Sequence, residues 1–260
     1  MKRTEITRRY PTPALEKGLD VLELFATEST GLTKTEVARR LGRTVSEVFR
    51  MLACLEARGY IARSGSDGRY SLTLHLFKLV HQNPPIERLA TEAMPIMRHL
   101  TAQINQSCHL GVLDGDRVVI IAQVNSPLSS GFTVKSGGIG DLMRSTTGQV
   151  ILAYQTPHVA SRSIKLWCKH NGMRPPSDLD RHLKDIKQHG FDERKSYEVE
   201  GVTNISFPVW DDRGCAIAAL SVPFLKRIGD STNFSMVKRA LEKASYELSE
   251  AIGGVPIQQN

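Results

Sequence analysis

The chain has 260 residues, 40% of them hydrophobic and 23% charged, with a formal net charge of +7. That length and apolar content lead us to expect two domains with packed cores. No apolar run approaches the roughly 18 residues a bilayer-spanning helix needs, and residues 1–10 are basic where a secretory signal would be apolar, so a cytoplasmic protein with no membrane partner is expected.

The positive charge is concentrated early. Residues 1–80 hold 14 Lys/Arg against 9 Asp/Glu, and residues 81–260 hold 20 against 18. Lys2, Arg3, Arg8 and Arg9 lie in a basic N-terminal arm, 1–13, suited to sequence-independent attraction of a polyanion. Residues 14–26 follow as an amphipathic helix, with Leu15, Leu19, Leu22 and Phe25 or Ala26 on the apolar stripe and Glu16, Lys17, Asp20 and Glu23 opposite. Thr33-Lys34-Thr35-Glu36 then matches a capping box, in which a threonine hydroxyl and a glutamate carboxylate satisfy the orphan N–H groups of a helix start. Val37, Ala38 and Leu41 give this short helix its inner face, and Gly42 ends it.

Two residues on, Thr44-Val45-Ser46-Glu47 repeats the box and opens a helix whose Val45, Val48, Leu52 and Leu55 are expected to face inward. Two short capped helices joined at Gly42-Arg43 make a helix-turn-helix. Residues 60–63 and 69–72 read as strands around the turn Ser64-Gly65-Ser66-Asp67-Gly68, which supplies a wing. The expected first domain is therefore a winged helix-turn-helix, all-α apart from its wing, over 14–74.

With the apolar stripe inside, Arg43, Thr44, Ser46, Glu47, Phe49 and Arg50 surround the start and outer face of the second capped helix, where a recognition helix meets the major groove of double-stranded operator DNA. Thr44 and the helix start suit a phosphate. Arg50 is the first choice for a base edge and Arg43 the second. Glu47 reads better as a capping residue than as a reader of cytosine. Phe49 stands open between packing against the wing and touching a thymine methyl. Arg63 and Arg69, on the wing strands, are candidate backbone or minor-groove contacts, and Thr33 completes the set.

The motifs G-L-T-x-x-E-V-A-x-x-L-G, V-x-R-M-L-x-x-L-E-x-R-G-Y-I and D-G-R-Y-x-L, in that order over about sixty residues, resemble the IclR family of transcription regulators. After Leu72, the apolar residues Leu74, Leu76, Phe77, Leu79 and Val80 predict a helix that stops near Asn83-Pro84-Pro85, and a second runs from Ile86 to about Ile104. Residues 75–105 are accordingly read as a helical linker, as the resemblance also implies. In the remaining chain, 106–260, hairpins are predicted at 108–113 with 117–124 and at 203–209 with 215–222. Helices are predicted near 148–154, 159–170, 178–189 and 231–252. This is an α+β domain. L-G-V-L-D-G-D-R-V-V, T-G-Q-V-I-L-A, I-K-Q-H-G-F and P-V-W-D-D-R-G-x-x-x-A-A-L-S continue the resemblance, which implies a GAF-like effector domain.

Catalytic signatures are missing from the sequence: there is no H-E-x-x-H and no G-x-S-x-G, and Gly137-Gly138-Ile139-Gly140 lacks the lysine of a phosphate loop and reads as a flexible loop. Asp211-Asp212 reads as turn chemistry. Cys54, Cys108, Cys168 and Cys215 have no metal-ligand spacing and are expected to be reduced and mostly buried, so neither metal nor cofactor is expected.

The resemblance places an effector, commonly a carboxylic acid, against Leu142, Met143, Arg144, Ser145, Thr146 and Thr147, with Arg194, Asn204 and Ser221 completing the site. Arg194, Asn204 and Pro223 depart from the residues usual at their positions in the family. Because arginine can hold a carboxylate by two parallel hydrogen bonds, the expectation is an organic acid held by Arg144 or Arg194; Arg144 turned to solvent or another subunit is the alternative. The function expected is an operator-binding regulator, more readily a repressor, working as a homodimer or homotetramer. The rivals are a metabolic enzyme carrying a winged-helix interaction module and a protein-protein adaptor.

Overall fold

The computed structural model describes residues 12–81, 84–129, 131–229 and 232–255. Lys2, Arg3, Arg8 and Arg9 of the basic arm lie outside the described residues. The chain divides into two compact units between Pro84 and Pro85.

The first unit contains α1 (Pro13–Ala26), α2 (Lys34–Leu41), α3 (Val45–Ala57), β1 (Ile61–Arg63), β2 (Tyr70–Leu72) and α4 (His75–His81). The helices α1, α2 and α3 enclose Val21, Phe25, Val37, Ala38, Val48, Leu52 and Leu55, and Leu32, Ile61 and Tyr70 close the core from the wing side. β1 and β2 pair antiparallel, with Ile61 opposite Leu72 and Arg63 opposite Tyr70, and Leu32 bridges to Tyr70. At the turn between α2 and α3, Gly42 takes the left-handed conformation (φ 63°), which lets the Arg43 N–H reach back to the Ala38 carbonyl at 2.9 Å.

α1 is rotated from the expected stripe. Phe25 is buried and Leu22 packs against the core as expected, but Leu15 and Leu19 are exposed and Val21 is buried. The reason is electrostatic as well as apolar: Lys17 reaches Glu47 at 2.6 Å and Asp20 reaches Arg43 at 2.7 Å, so the side expected to face solvent turns toward α3 and its approach. Val45, expected inward, is also exposed, because it sits in the first turn of α3 ahead of the buried row Val48, Leu52 and Leu55.

The second unit contains α5 (Pro84–Ile104), β3 (Cys108–Asp114), β4 (Arg117–Val124), β5 (Ile139–Asp141), α6 (Thr146–Ala153), α7 (Pro157–Asn171), α8 (Leu179–His189), β6 (Asp192–Lys195), β7 (Val202–Trp210), β8 (Ala216–Leu225) and α9 (Phe234–Ala251). The strands form one antiparallel sheet in the order β5-β4-β3-β8-β7-β6. Alternation along each strand splits the residues between two faces. Leu110, Ile205, Phe207, Val209, Leu220 and Val222 pack with α5 and α9. On the opposite face, α6, α7 and α8 pack in two smaller clusters around Leu142, Met143, Leu152, Trp167 and Leu179, and around Val150, Ile151, Ile186 and Ala219.

α5 was expected within a linker over 75–105. It instead places Leu89, Ala93, Met97, Leu100 and Ile104 in the core of the second unit. The glycine cluster read as a flexible loop enters β5, where Ile139 and Gly140 pair with Val119 and Val118 of β4. Of the four free cysteines only Cys108 is buried, and Cys54 on α3 is exposed. Among the described residues no helix is long and apolar enough to cross a membrane, and no cluster of three His, Cys, Asp or Glu side chains could hold a metal ion.

Candidate nucleic-acid interface and effector cleft

Both capping boxes of the first unit are formed. The Thr44 hydroxyl accepts the Glu47 N–H at 3.3 Å, and Glu47 Oε2 accepts the Thr44 N–H at 3.2 Å. The hydrogen bond from Lys17 adds to those from the Thr44 hydroxyl and N–H, and together they hold the Glu47 carboxyl down at about 2. At α2, Thr33 and Glu36 do the same, and the Thr33 N–H does most to lower the Glu36 pKa. Arg69 then forks onto Glu36, with Nη1 at 3.0 Å from Oε2 and Nη2 at 3.3 Å from Oε1, and Nη1 also donates to the Gly31 carbonyl at 2.6 Å.

These contacts sort the candidate DNA residues. Thr33, Glu47 and Arg69 are engaged within the domain, and Arg43 is half-buried against Asp20. Thr44 is exposed, and its own N–H is taken by the Glu47 carboxylate. Ser46, Phe49 and Arg50 remain together on the outer face of α3, at the i, i+3, i+4 spacing of one helical face. Phe49 is 52% exposed. On the wing, Arg63 is exposed with its guanidinium 5.7 Å from the centre of the Tyr70 ring.

In the second unit, a cleft of about 560 Å³, part of it open to solvent, lies at the start of α6. Val118, Ile120, Phe132, Val134 and Ile139 give it apolar walls, and its polar lining comes from His109, Ser145, Thr146, Thr147, Ser196, Tyr197, Glu198 and Asn204. Asp141, at the end of β5, organises the approach to α6: its Oδ1 accepts the N–H groups of Met143 and Arg144 at 2.8 and 3.1 Å and Trp167 Nε1 at 3.2 Å. Ser145 caps the helix, its hydroxyl accepting the Gly148 N–H at 3.1 Å. Residue 148 must be glycine for this packing, since a Cβ there would meet the Leu142 carbonyl oxygen at 2.7 Å. As at any helix start, the N–H groups of Thr146 and Thr147 in the first turn have no intrahelical acceptor.

Behind the cleft runs a line of buried hydrogen bonds. Thr146 Oγ1 lies 2.7 Å from Ser206 Oγ, which lies 2.7 Å from Ser221 Oγ; that hydroxyl is 2.8 Å from Thr147 Oγ1, which is 3.3 Å from His109 Nε2. Strand pairing creates the line, since Ser221 stands opposite both Ser206 on β7 and His109 on β3. Gly111 lets α6 come this close, because a Cβ there would meet Thr147 Cγ2 at 2.6 Å. Burial alone lowers the His109 pKa to about 4, so its imidazole is neutral near pH 7.

The structure gathers Ser145, Thr146, Thr147 and Asn204 in the cleft and puts Ser221 directly behind it. Leu142 and Met143 are buried in the core beside α6 and α7. Neither arginine expected to clamp a carboxylate lines the cleft. Arg144 is exposed, with its guanidinium 4.5 Å from the centre of the Tyr197 ring, and Arg194 donates through Nε to the buried carboxylate of Asp192 at 3.1 Å. His182 Nε2 reaches the other oxygen of Asp192 at 3.1 Å. Sequence reasoning missed His109, Ser206, Ser196, Tyr197, Glu198 and the apolar walls. The available signal was parity: Ser206 and Asn204 are two residues apart on one strand, and so share a face.

Comparison with known proteins matches residues 14–65 to the IclR helix-turn-helix domain and residues 86–250 to the C-terminal domain of bacterial transcriptional regulators of the IclR type. The HTH-type transcriptional regulator KdgR of Dickeya chrysanthemi is 29% identical over 84% of this chain and 73% of its own length. The transcriptional repressor IclR of Escherichia coli is 24% identical over 93% of this chain and 90% of its own. Among solved structures, an IclR homolog from Microbacterium hydrocarbonoxydans complexed with 4-hydroxybenzoate superposes with a TM-score of 0.75, at 22% identity over 92% of this chain and 98% of that one.

Proposed function

The chain belongs to the IclR family and is a DNA-binding transcriptional regulator, and on that premise we propose that it represses its target genes from an operator read mainly by Ser46, Phe49 and Arg50, and that a small organic acid in the α6 cleft changes its hold on DNA. The observation that carries the reading is the division among the cations of the first unit. Arg43 and Arg69 are closed by Asp20 and Glu36, whereas Arg50 stands beside Ser46 and Phe49 on the exposed face of α3. An arginine so placed can fork onto the O6 and N7 of guanine, and a neighbouring phenylalanine can meet a thymine methyl. Arg63 on the wing is a backbone contact in this scheme.

The effector half rests on the cleft. The orphan N–H groups of Thr146 and Thr147 replace the arginine clamp as the place for a carboxylate, and Asn204 and Ser145 supply orienting hydrogen bonds. Glu198, the charged residue of the lining, is exposed, and its charge favours an acid that keeps its carboxylate at α6. The apolar walls suit a hydrocarbon or ring body, a combination also present in the 4-hydroxybenzoate bound by the related protein. Two reading heads on a symmetric homodimer or homotetramer would match a roughly palindromic operator in the cytoplasm. Ligand control follows if the acid binds two arrangements of the protein unequally. The role proposed is regulatory and not enzymatic.

Mobility shift on DNA from upstream of its own coding region tests the reading. The wild type should retard it, and Arg50→Ala should lower affinity by about 10- to 100-fold, the worth of a bidentate base contact. Arg43→Ala should keep the base preference while loosening the domain. Retention of wild-type binding by Arg50→Ala would remove the recognition assignment.

A further inference from the structure

His109 lines the cleft with only 6% of its surface exposed, and the hydroxyl line engages just one of its ring nitrogens. Nδ1 is enclosed by protein and has no hydrogen-bond partner among the described residues. Buried polar side-chain atoms are almost always paired, so one left over beside a cleft points to a partner that arrives through the cleft.

The chemistry of that partner follows from the state of the ring. A neutral imidazole carries one N–H, so Nδ1 donates when Nε2 accepts from Thr147, and accepts when Nε2 donates. Each hydroxyl in the line has one proton and can turn to suit, so Thr147, Ser221, Ser206 and Thr146 accommodate either choice without moving an atom heavier than hydrogen. Being uncharged, His109 is a poor counter-ion for a carboxylate, whereas the α6 N-terminus favours one. His109 is nevertheless bonded to Thr147, the second residue of that helix, so whatever meets Nδ1 lies near whatever the helix start holds.

We propose that His109 is the specificity-determining residue of the cleft, its Nδ1 taking an uncharged hydroxyl or carbonyl oxygen that the effector carries close to its carboxylate. The inference rests on the acid-effector reading above. It adds a second recognition element, drawn from β3, to the one at α6.

The test uses pairs of acids differing by one oxygen, propanoate with 2-hydroxypropanoate and benzoate with 2-hydroxybenzoate, titrated calorimetrically into the full chain. Wild type should prefer an oxygenated member by about tenfold, the usual worth of one well-made hydrogen bond. His109→Asn places its amide where Nδ1 was and should keep the preference. His109→Gln places its amide nearer Nε2, keeps the Thr147 link, and should bind both members of the pair alike, while melting shows both variants folded. An unchanged preference in His109→Gln, or one lost equally in His109→Asn, overturns the assignment, as does binding by wild type without any preference. If none of the four acids binds wild type while its operator still does, the acid reading itself fails and takes this inference with it.

Discussion

The starts of α3 and α6 are built alike and used differently. Each is capped by a hydroxyl, Thr44 or Ser145, accepting the N–H three residues on. At α3 that third residue is Glu47, whose carboxylate folds back onto the cap and is matched by Lys17. At α6 it is Gly148, and the Asp141 carboxylate instead holds the N–H groups of Met143 and Arg144 ahead of the helix. The Glu47 carboxylate already offsets the positive end of α3, whereas α6 has no acidic side chain in its first turn to do so. The same capping chemistry thus opens the helix proposed to read DNA in one unit and the one proposed to hold an acid in the other.

The strongest way to break this contrast is Gly148→Ala. The added methyl would press on the Leu142 carbonyl oxygen at 2.7 Å, so we expect a loss of about 1–3 kcal/mol. Equilibrium denaturation should show the loss in the fluorescence of Trp167 and Trp210, the two tryptophans of the chain, both in the second unit. An unaltered midpoint would mean that residue 148 need not be glycine. The two caps give a smaller and sharper comparison. Thr44→Ala and Ser145→Ala should each cost about 1 kcal/mol. Only Ser145→Ala should also weaken acid binding in calorimetry, and only Thr44→Ala should weaken DNA retention, by unsettling α3. Equal effects of both variants on both ligands would erase the distinction.

A further comparison is with pH. The folded pKa of His109 is lowered to about 4 from 6.5, so its contribution is complete above 6.5, declines as acid protonates the unfolded chain, and is fully lost below about 4. Glu47, lowered from 4.5 to about 2, contributes above 4.5 and loses that contribution as pH falls toward 2. Stability of the second unit should therefore begin to fall at a higher pH than the cap of α3. An imidazole resonance of His109 that titrates near 6.5 in the folded protein would contradict the neutral, buried ring.

How much of this was legible in the sequence follows the range of the interactions. The winged helix-turn-helix could be read because its boxes, its Gly42 turn and its buried row Val48, Leu52 and Leu55 are local patterns. The facing of α1 could not, because it depends on Lys17 and Asp20 meeting partners 30 and 23 residues away. Half of the candidate cleft was visible for the same reason: Ser145, Thr146 and Thr147 are consecutive at a helix start. Arg144 and Arg194 misled because charge alone does not show whether a guanidinium already has company, here Tyr197 and Asp192. His109 and Ser206 acquire their roles only through the register that sets Ser221 opposite both, which no short window contains.

The sheet of the second unit ends in its two short strands, β5 of 3 residues and β6 of 4, and β6 reads Asp192-Glu193-Arg194-Lys195. So brief and so charged a margin offers little main chain for another strand to add to. In any self-association each sheet would therefore finish within its own subunit, and the same margin guards the folded domain against fibrous aggregation.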